Sequence, residues 1–234
     1  VLLPFILLAA LPVKSAAQFV QHATTTTENF HYMVYDKSVE GRIYGAISPE
    51  DPFDYPRLFM SDDAGKTWHL LFEFTDPYRM PGDAVWGRIM DIKTVENSDW
   101  VYFTMIKTSS PYTDGLYGVN CKTLETKHYL APNVEMGASV SETGGYDVYG
   151  TDGKTVFLHT TYFGAVVGVI STELYYTTDG GENWDMVYSY ADHDYVHVSN
   201  LAIDPHNPDK LFILRGNGPS GANGGLLISE DAGK

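Results

Sequence analysis

Ser61-Asp62-Asp63-Ala64-Gly65-Lys66-Thr67-Trp68 is the stretch that decides the fold, because the chain repeats it as Thr177-Thr178-Asp179-Gly180-Gly181-Glu182-Asn183-Trp184. A third copy, Ser229-Glu230-Asp231-Ala232-Gly233-Lys234, is shorter. Each copy follows an apolar run, which is typical of the turn of a β-hairpin. In such a turn a short carboxylate can accept hydrogen bonds from backbone amides, and glycine supplies a positive φ. We therefore interpret the copies as hairpin turns of a repeat protein.

The strands that lead into these turns recur at nearly constant intervals. They start at Leu58, Leu116, Leu174 and Leu226, which lie 58, 58 and 52 residues apart, although the second unit has lost the turn sequence. An upstream strand recurs in step at 43–46, 101–104, 156–159 and 211–214. A still earlier strand is expected to end in aspartate, or nearly so, each time, at Asp36, Asp91, Asp147 and Asp204.

Three strands in step, followed by the strand after the turn, make four strands per unit, which is a β-propeller blade. The sequence therefore predicts an all-β fold, a β-propeller of four-stranded antiparallel blades in an incomplete ring. About four blades are present and the fourth is truncated. They are expected at about 29–75, 84–130, 139–190 and 196–234.

The repeated turn resembles the Asp-box (BNR repeat) signature of sialidase-like β-propellers, Ser/Thr-x-Asp-x-Gly-x-Thr-x-Trp. The resemblance implies a fold rather than an activity, because Asp boxes in that superfamily lie on outer turns of the blades, away from the ligand. The structural Asp-box residues would be Ser61, Asp63, Gly65, Thr67, Trp68, Thr177, Asp179, Gly181, Trp184, Ser229, Asp231 and Gly233.

The N-terminus differs from the rest of the chain. Residues 1–13 are almost all apolar, and Ser15-Ala16-Ala17 offers small side chains for signal-peptidase cleavage before Gln18. We expect a signal peptide at 1–17, a linker at 18–28, and a secreted or periplasmic protein, with bacterial export preferred. Because the chain lacks an initial Met and stops inside an Asp box, we interpret it as the N-terminal fragment of a longer protein.

Charge excludes two classes of partner. The chain carries 30 acidic and 15 basic residues, a net charge of −15. Nucleic acids and anionic membrane surfaces both attract basic proteins, so neither is expected as a partner. No membrane span is expected after signal removal, and no cofactor or metal site is predicted. The single cysteine, Cys121, is expected to be partly exposed in the degenerate turn of the second unit.

Strand parity indicates which face should carry a ligand. In an antiparallel meander of strands A to D, the A–B and C–D turns lie on one face, and the Asp boxes are C–D turns. The opposite face holds the B–C loops and the D–A connections, and long loops on a rigid scaffold commonly carry function. The B–C loops are expected at 48–57, 108–115, 160–173 and 215–225. The D–A connections are expected at 75–88, 131–141 and 190–198.

One D–A connection, Asp192-His193-Asp194-Tyr195-Val196-His197, holds two carboxylates and two imidazoles. These groups could ligate a metal or act as general acid and base. The alternative is an acidic loop in contact with water.

A second connection, Tyr78-Arg79-Met80-Pro81-Gly82-Asp83, is followed by Trp86 and Arg88. It resembles the Phe/Tyr-Arg-Ile-Pro element of sialidases, whose arginine binds the substrate carboxylate and whose nearby aspartate is the acid/base. Here the element follows the first Asp box, whereas in sialidases it precedes it. A chance occurrence of Tyr-Arg-x-Pro in a loop is the alternative.

These features favour a secreted Asp-box propeller that binds or processes carbohydrate and is similar to glycoside hydrolases, including sialidases. The alternative is a non-catalytic binding or assembly propeller for protein or glycan partners. Acidic, imidazole and aromatic groups, with only two arginines among the candidates, suit a glycan or another neutral, hydroxyl-rich ligand better than a polyanion. The candidate catalytic residues are Asp83, Asp192 and His193. The candidate substrate-binding residues are Tyr78, Arg79, Trp86, Arg88, Tyr195 and His197.

Overall fold

A computed structural model describes residues 30–47, 55–75, 87–106, 115–130, 139–140, 145–163, 170–192, 198–215 and 225–233. All the regular secondary structure within these ranges is β-strand, so the all-β prediction is confirmed. The strands are β1 (Tyr32–Tyr35), β2 (Ile43–Ile47), β3 (Arg57–Ser61), β4 (His69–Glu73), β5 (Arg88–Thr94), β6 (Trp100–Ile106), β7 (Gly115–Asn120), β8 (Thr126–Tyr129), β9 (Ser139–Val140), β10 (Tyr146–Tyr149), β11 (Thr155–Phe163), β12 (Ile170–Thr177), β13 (Asp185–Asp192), β14 (Val198–Asp204), β15 (Asn207–Arg215) and β16 (Gly225–Ser229).

The strands form four antiparallel sheets, each with its strands side by side in chain order. Blade 1 is β1-β2-β3-β4, and blade 2 is β5-β6-β7-β8. Blade 3 is β10-β11-β12-β13 with β9 added against β11, and blade 4 is β14-β15-β16. The first strand of each blade is its inner strand, because β1 contacts β5 and β10 contacts β14. The predicted propeller architecture is confirmed, with three strands in the described part of blade 4.

Three apolar clusters join consecutive blades face to face. The first packs Tyr44 and Leu58 of blade 1 against Phe103 of blade 2. Side chains alternate along a strand. Tyr102, the residue before Phe103 on β6, therefore faces the other way and packs in the second cluster with Tyr146 of blade 3. The third cluster joins blades 3 and 4. A middle blade is therefore buried on both faces, which explains why six of the seven residues of β6 are apolar or aromatic.

The B–C hairpin of blade 3 is longer than the sequence indicated. The loop expected at 160–173 is mostly strand, because β11 continues to Phe163 and pairs there with Ile170 of β12. The short β9, within the connection expected at 131–141, pairs with β11. Threonine and aromatic residues favour strands, so the polar run Thr160-Thr161-Tyr162 extends the sheet instead of ending it.

The expectation that each inner strand ends in aspartate is wrong for two of the four blades. Asp36 directly follows β1 and Asp204 ends β14, but Asp91 lies in the middle of β5 and Asp147 is the second residue of β10. A bulge between Ile89 and Asp91 shifts the register of β5 against β6. Asp91 and Asp147 are therefore inner-strand residues and do not belong to turns.

Each A–B turn is closed by a short polar side chain that accepts the backbone amide two residues ahead. The acceptor is Asp36 in blade 1 (2.9 Å) and Ser98 in blade 2 (3.1 Å). It is Asp152 in blade 3 (3.1 Å) and Asp204 in blade 4 (2.9 Å). This is the bonding of Asx and Ser/Thr turns. The sequence pattern selected the acceptor in blades 1 and 4, whereas in blades 2 and 3 the acceptors are Ser98 and Asp152 rather than Asp91 and Asp147.

Cys121 is buried and does not lie at the surface as expected. It belongs to the cluster between blades 1 and 2, where the Arg42 guanidinium donates to its Sγ at 3.7 Å. Burial raises the pKa of the Cys121 thiol, so this cysteine is a packing residue in its protonated form.

Candidate functional site

The first Asp box is held together by its own side chains. Ser61 Oγ donates to Asp63 Oδ1 (2.8 Å) and accepts the Gly65 amide (2.8 Å). Asp63 Oδ1 accepts the amides of Lys66 (3.0 Å) and Thr67 (2.9 Å), and the Thr67 hydroxyl donates to Oδ2 (2.7 Å). These donors, with the threonine first among them, lower the pKa of Asp63 well below its ordinary value.

The second box repeats this bonding with different side chains. Thr177 Oγ1 donates to Asp179 Oδ1 (2.8 Å) and accepts the Gly181 amide (3.1 Å). The Asn183 side-chain amide donates to Asp179 Oδ2 (2.8 Å), where the first box has a threonine hydroxyl. The backbone and side-chain donors of Asn183, aided by Thr177, lower the pKa of Asp179 to about 2.

The remaining two turns keep parts of this arrangement. In the third box, Ser229 Oγ donates to Asp231 Oδ1 (2.8 Å) and accepts the Gly233 amide (2.7 Å). In blade 2, Asn120 takes over the acceptor role and binds the amides of Lys122 (2.9 Å) and Thr123 (3.0 Å). The turn survives loss of the box because an amide oxygen also accepts backbone N–H groups.

The two box tryptophans pack on the sheets beside their turns. The Trp68 ring lies 4.3 Å from the Phe30 ring, centroid to centroid, and a Cβ on Gly45 would approach it at 3.2 Å. Trp184 packs against the cluster between blades 2 and 3, and a Cβ on Gly181 would lie 3.4 Å from it. Both rings are half-buried.

Most of the candidate site residues lie outside the described residues. These are Tyr78, Arg79, Asp83, Trp86, His193, Tyr195 and His197. Arg88 is the first residue of β5 and is exposed. Asp192 is the last residue of β13, the outermost strand of blade 3, where it pairs with Ile170. The structure therefore places Arg88 and Asp192 on different blades, one on an inner strand and one on an outer strand.

The inner strands carry a polar cluster that sequence reasoning missed. It comprises Tyr32, Asp91, Lys93, Tyr146 and Asp147, and we call it the inner-strand cluster. Between blades 1 and 2, the Tyr32 hydroxyl donates to Asp91 Oδ1 at 2.9 Å. Burial, and then the Asp91 charge, raise the pKa of Tyr32 to about 12, so its hydroxyl remains a hydrogen-bond donor at neutral pH.

Lys93 connects three blades. Its ammonium donates to the backbone carbonyl of Tyr146 in blade 3 and to that of Leu201 in blade 4 (3.4 Å). It also lies 4.8 Å from the centre of the Tyr146 ring, within cation–π range. The Asp147 carboxylate is 3.7 Å away. The positive charge of Lys93 is thus already engaged by the protein.

Asp147 is likewise fully engaged. Its Oδ2 accepts the Ile203 amide of blade 4 (2.7 Å), and its Oδ1 accepts the Val148 amide (3.0 Å). Burial raises the pKa of Asp147, and Lys93 and the two amides oppose that rise. This carboxylate therefore joins blade 3 to blade 4.

Asp91 differs from Asp147 because only one of its carboxylate oxygens accepts a hydrogen bond from the part of the chain that the structure describes. Asp91 is 8% exposed, and among the described residues only Tyr32 hydrogen-bonds to it, through Oδ1. Oδ2 can accept a hydroxyl or an amide from a ligand. Within the described residues, no group of three or more His, Cys, Asp or Glu is placed to hold a metal ion.

A family model confirms the repeated turn. The BNR/Asp-box repeat model matches residues 59–70 and 175–186. The chain therefore carries BNR/Asp-box repeats on a β-propeller fold. Among curated proteins none matches its sequence.

Solved structures similar to this propeller include glycoside hydrolases. The GH74 xyloglucanase from Xanthomonas campestris matches with a TM-score of 0.55 and 18% identity, over 86% of this chain and 28% of that enzyme. The GH74 enzyme of Niastella koreensis matches with a TM-score of 0.55 and 15% identity, over 85% and 29%. The GH93 α-L-arabinofuranosidase of Fusarium graminearum, solved with arabinobiose, has a TM-score of 0.48 and 17% identity, over 86% and 62%. The chain spans less than a third of the length of the two GH74 proteins, and its likeness to those two shows the fold.

Proposed function

We propose that this propeller binds or processes carbohydrate, and that the glycan meets the face opposite the Asp boxes. The observation that carries the proposal is Asp91, a buried inner-strand carboxylate that Tyr32 holds through one oxygen. A carboxylate fixed in this way can accept sugar hydroxyls through its second oxygen, and charge-assisted bonds of this kind are the stronger ones. Ligand sites are typically lined by apolar residues with a few precisely positioned polar groups.

The fold-level likeness supports the same class of function. The GH74 xyloglucanase and the second GH74 enzyme are both glycoside hydrolases by name. Likeness of fold is an analogy rather than evidence of activity, so the inner-strand cluster carries the proposal for this chain.

The electrostatics favour a neutral ligand. The net charge of −15 repels polyanions. Lys93, the cation of the inner-strand cluster, is bound by two carbonyl groups and lies beside Asp147. We therefore propose a neutral, hydroxyl-rich glycan rather than a sialylated or uronic one.

The test is a binding comparison with two matched Asp→Asn variants. We expect Asp91→Asn to weaken binding of neutral oligosaccharides, such as those of xyloglucan or arabinan, by about tenfold, the cost of one charged hydrogen bond. Asp152→Asn, in an A–B turn on the Asp-box face, should leave affinity unchanged. Isothermal titration calorimetry measures the affinity of both variants for the neutral oligosaccharides. Sialyllactose serves as the acidic comparison ligand. Equal glycan affinities of the Asp91→Asn variant and the wild-type protein would refute the role of Asp91 in glycan binding.

Hydrolysis and binding without turnover make different demands on the site. Glycoside hydrolysis ordinarily uses two carboxyl groups. In the inner-strand cluster Asp147 is committed to two amides and stands beside Lys93. A hydrolase would therefore recruit a second group from the candidates Asp83, Asp192 and His193, whereas the non-catalytic alternative needs only Asp91 and aromatic loops.

Analysis of reaction products distinguishes a hydrolase from a propeller that binds glycan without turnover. If the propeller is a hydrolase, chromatography of digested oligosaccharides should show products that disappear in the Asp83→Ala/Asp192→Ala double variant. Binding without products, retained in that variant, would favour the non-catalytic binding propeller.

Export is a separate proposal that rests on residues 1–17. No helix in the described part of the chain is long and apolar enough to cross a membrane. Expression in a bacterium, followed by N-terminal sequencing of the exported product, should give a mature chain that starts at Gln18. Product retained in the cytoplasm with residues 1–17 intact would contradict the proposed signal peptide.

A further inference from the structure

Thr104 carries a buried hydroxyl group for which the fold provides no partner in the part of the chain that the structure describes. The residue lies on β6 and is fully buried, and its Oγ1 makes no hydrogen bond within the described residues. Buried polar side-chain atoms in native proteins are hydrogen-bonded with few exceptions, and each exception needs an explanation. A hydroxyl group buried in this way costs free energy unless another group pairs with it.

Thr104 lies directly beside Asp91. The two residues are partners in the antiparallel register of β5 and β6, and such partners project from the same face of the sheet with Cβ atoms about 5 Å apart. The next pair on that face is Lys93 and Tyr102, and Tyr102 packs toward blade 3. Thr104 therefore adjoins the inner-strand cluster on the side that faces blade 3.

The side chains of Asp91 and Thr104 are together complementary to one hydroxyl group. A hydroxyl group donates one hydrogen and accepts through two lone pairs. The Asp91 carboxylate accepts only, and Tyr32 binds its Oδ1, so Oδ2 can take the hydrogen of a ligand hydroxyl. Thr104 Oγ1 can donate its own hydrogen to the oxygen of that same hydroxyl. The pair therefore suits a hydroxyl group better than a carboxylate, which Asp91 repels.

The depth of Thr104 limits which hydroxyl group can reach it. Asp91 lies on the inner strand and is 8% exposed, whereas Thr104 is 0% exposed and lies on the second strand, about 4.8 Å further from the inner edge. The ring hydroxyls of a sugar are attached directly to ring carbons. A hydroxymethyl group holds its hydroxyl one carbon further from the ring and rotates freely, so it is the sugar group best able to enter between the blades.

We propose that Asp91 and Thr104 form a subsite for the hydroxymethyl group of a neutral hexose residue. Thr104 thereby determines specificity at the proposed glycan site, on which this inference rests. Pentopyranoses such as xylose lack the hydroxymethyl group. Uronic acids carry a carboxylate in its place, and the charge of Asp91 repels that carboxylate. The subsite therefore selects hexoses over both of these sugar classes.

Cellotetraose and xylotetraose are matched probes, because they share a β-1,4 backbone and differ only in the hydroxymethyl group of each sugar. By isothermal titration calorimetry the wild-type protein should bind cellotetraose about tenfold more tightly than xylotetraose, since the hydroxymethyl group adds hydrogen bonds. Thr104→Val removes the hydroxyl and keeps the shape of the side chain. It should weaken cellotetraose binding about fivefold and leave xylotetraose binding unchanged. Thr104→Ser should retain the preference, and so should Thr126→Val, the matched control at an exposed position on β8.

Thermal unfolding without ligand supplies a second measurement and establishes that each variant is folded. Since Thr104 Oγ1 has no partner among the described residues, removal of this hydroxyl should raise the melting temperature of Thr104→Val. Removal of a hydroxyl that holds the fold together would lower it. A more stable variant that binds cellotetraose more weakly is the result expected for a group retained for a ligand at the expense of stability.

The outcomes separate this subsite from the proposed function. If Asp91→Asn weakens cellotetraose binding while Thr104→Val keeps the wild-type preference, Asp91 retains its role and the subsite is overturned. A lower melting temperature of Thr104→Val with unchanged preference assigns the hydroxyl to an ordered water within the fold and also overturns it. Equal wild-type affinities for the two probes, or binding of other neutral oligosaccharides but not of cellotetraose, overturn selection of the hydroxymethyl group. A wild-type protein that binds no neutral oligosaccharide refutes the proposed function and the subsite with it.

Discussion

The ammonium of Lys93 lies 3.4 Å from the carbonyl oxygen of Leu201, which is 108 positions further along the chain and two blades away. The same group also binds the carbonyl of Tyr146 in the blade between them. One side chain therefore joins the inner strands of blades 2, 3 and 4. Bonds to a charged donor are stronger than neutral ones, so this contact helps to set how the inner strands converge.

Removing this contact should destabilise the protein measurably. We expect Lys93→Met to lower the free energy of unfolding by about 2 kcal/mol, the value of a charged hydrogen bond in a half-buried site. Lys122→Met is the matched control, because Lys122 forms an exposed ion pair with Asp99 and such pairs contribute little. Urea unfolding measures both, and equal losses in the two variants would contradict the special role of Lys93.

The Asp-box carboxylates should matter for stability and not for ligand affinity. Asp63→Ala and Asp179→Ala each leave several turn donors without their acceptor, so each should lower the melting temperature by several degrees. Glu182→Ala, an exposed substitution in the second box, should have almost no effect. Glycan affinity of the folded fraction should stay unchanged in all three. Loss of affinity in Asp63→Ala, with none in Asp83→Ala/Asp192→Ala, would place the ligand on the Asp-box face.

The same carboxylates predict how stability depends on acid. The native pKa of Asp179 is about 2, below the value of about 3.9 for an unfolded-chain aspartate. A lowered native pKa stabilises the fold fully above the unfolded value, and that contribution is lost as the pH falls toward 2. Urea midpoints measured between about pH 5 and pH 2 should fall less steeply for Asp179→Asn than for the unchanged chain. Parallel curves would show that Asp179 does not titrate as proposed.

The box tryptophans should act as packing residues. Trp→Ala at a fully buried site costs about 3–5 kcal/mol, and Trp68 and Trp184 are half-buried, so we expect about 2 kcal/mol for each. Trp68→Phe should retain most of the stability, because a smaller ring can still lie on Phe30. Calorimetric unfolding measures these losses. A tryptophan variant that weakens glycan binding while remaining fully stable would assign that ring to the ligand site.

The fold was predictable from one sequence because its information is local and repeated. Ser61, Asp63 and Gly65 bond to one another within a single turn, and the same residue types recur at a fixed spacing. The extent of the blade 3 hairpin was not predictable, since pairing of Phe163 with Ile170 depends on strand propensities of residues that are also common in loops.

The inner-strand cluster could not be predicted from the sequence for a different reason. Asp36 and Asp91 both follow a short apolar or aromatic run in the sequence, yet Asp36 closes a turn and Asp91 binds Tyr32 of the preceding blade. The distinction arises from a bulge in β5 and from a contact across 59 positions. A periodic pattern in one chain contains neither.

The Asp-box turn is closed by bonds within its own blade, which has a consequence for how such a chain can evolve. Ser61 and Asp63 accept the amides of Gly65, Lys66 and Thr67, and the Ala64 amide donates to the Gly41 carbonyl of the same blade, so a gene segment that encodes one blade brings its turn with it when it is copied. Blade 2 shows that the signature can then be lost, because Asn120 keeps the turn closed. Duplication can therefore lengthen the array while the loops on the opposite face diverge independently of the turns.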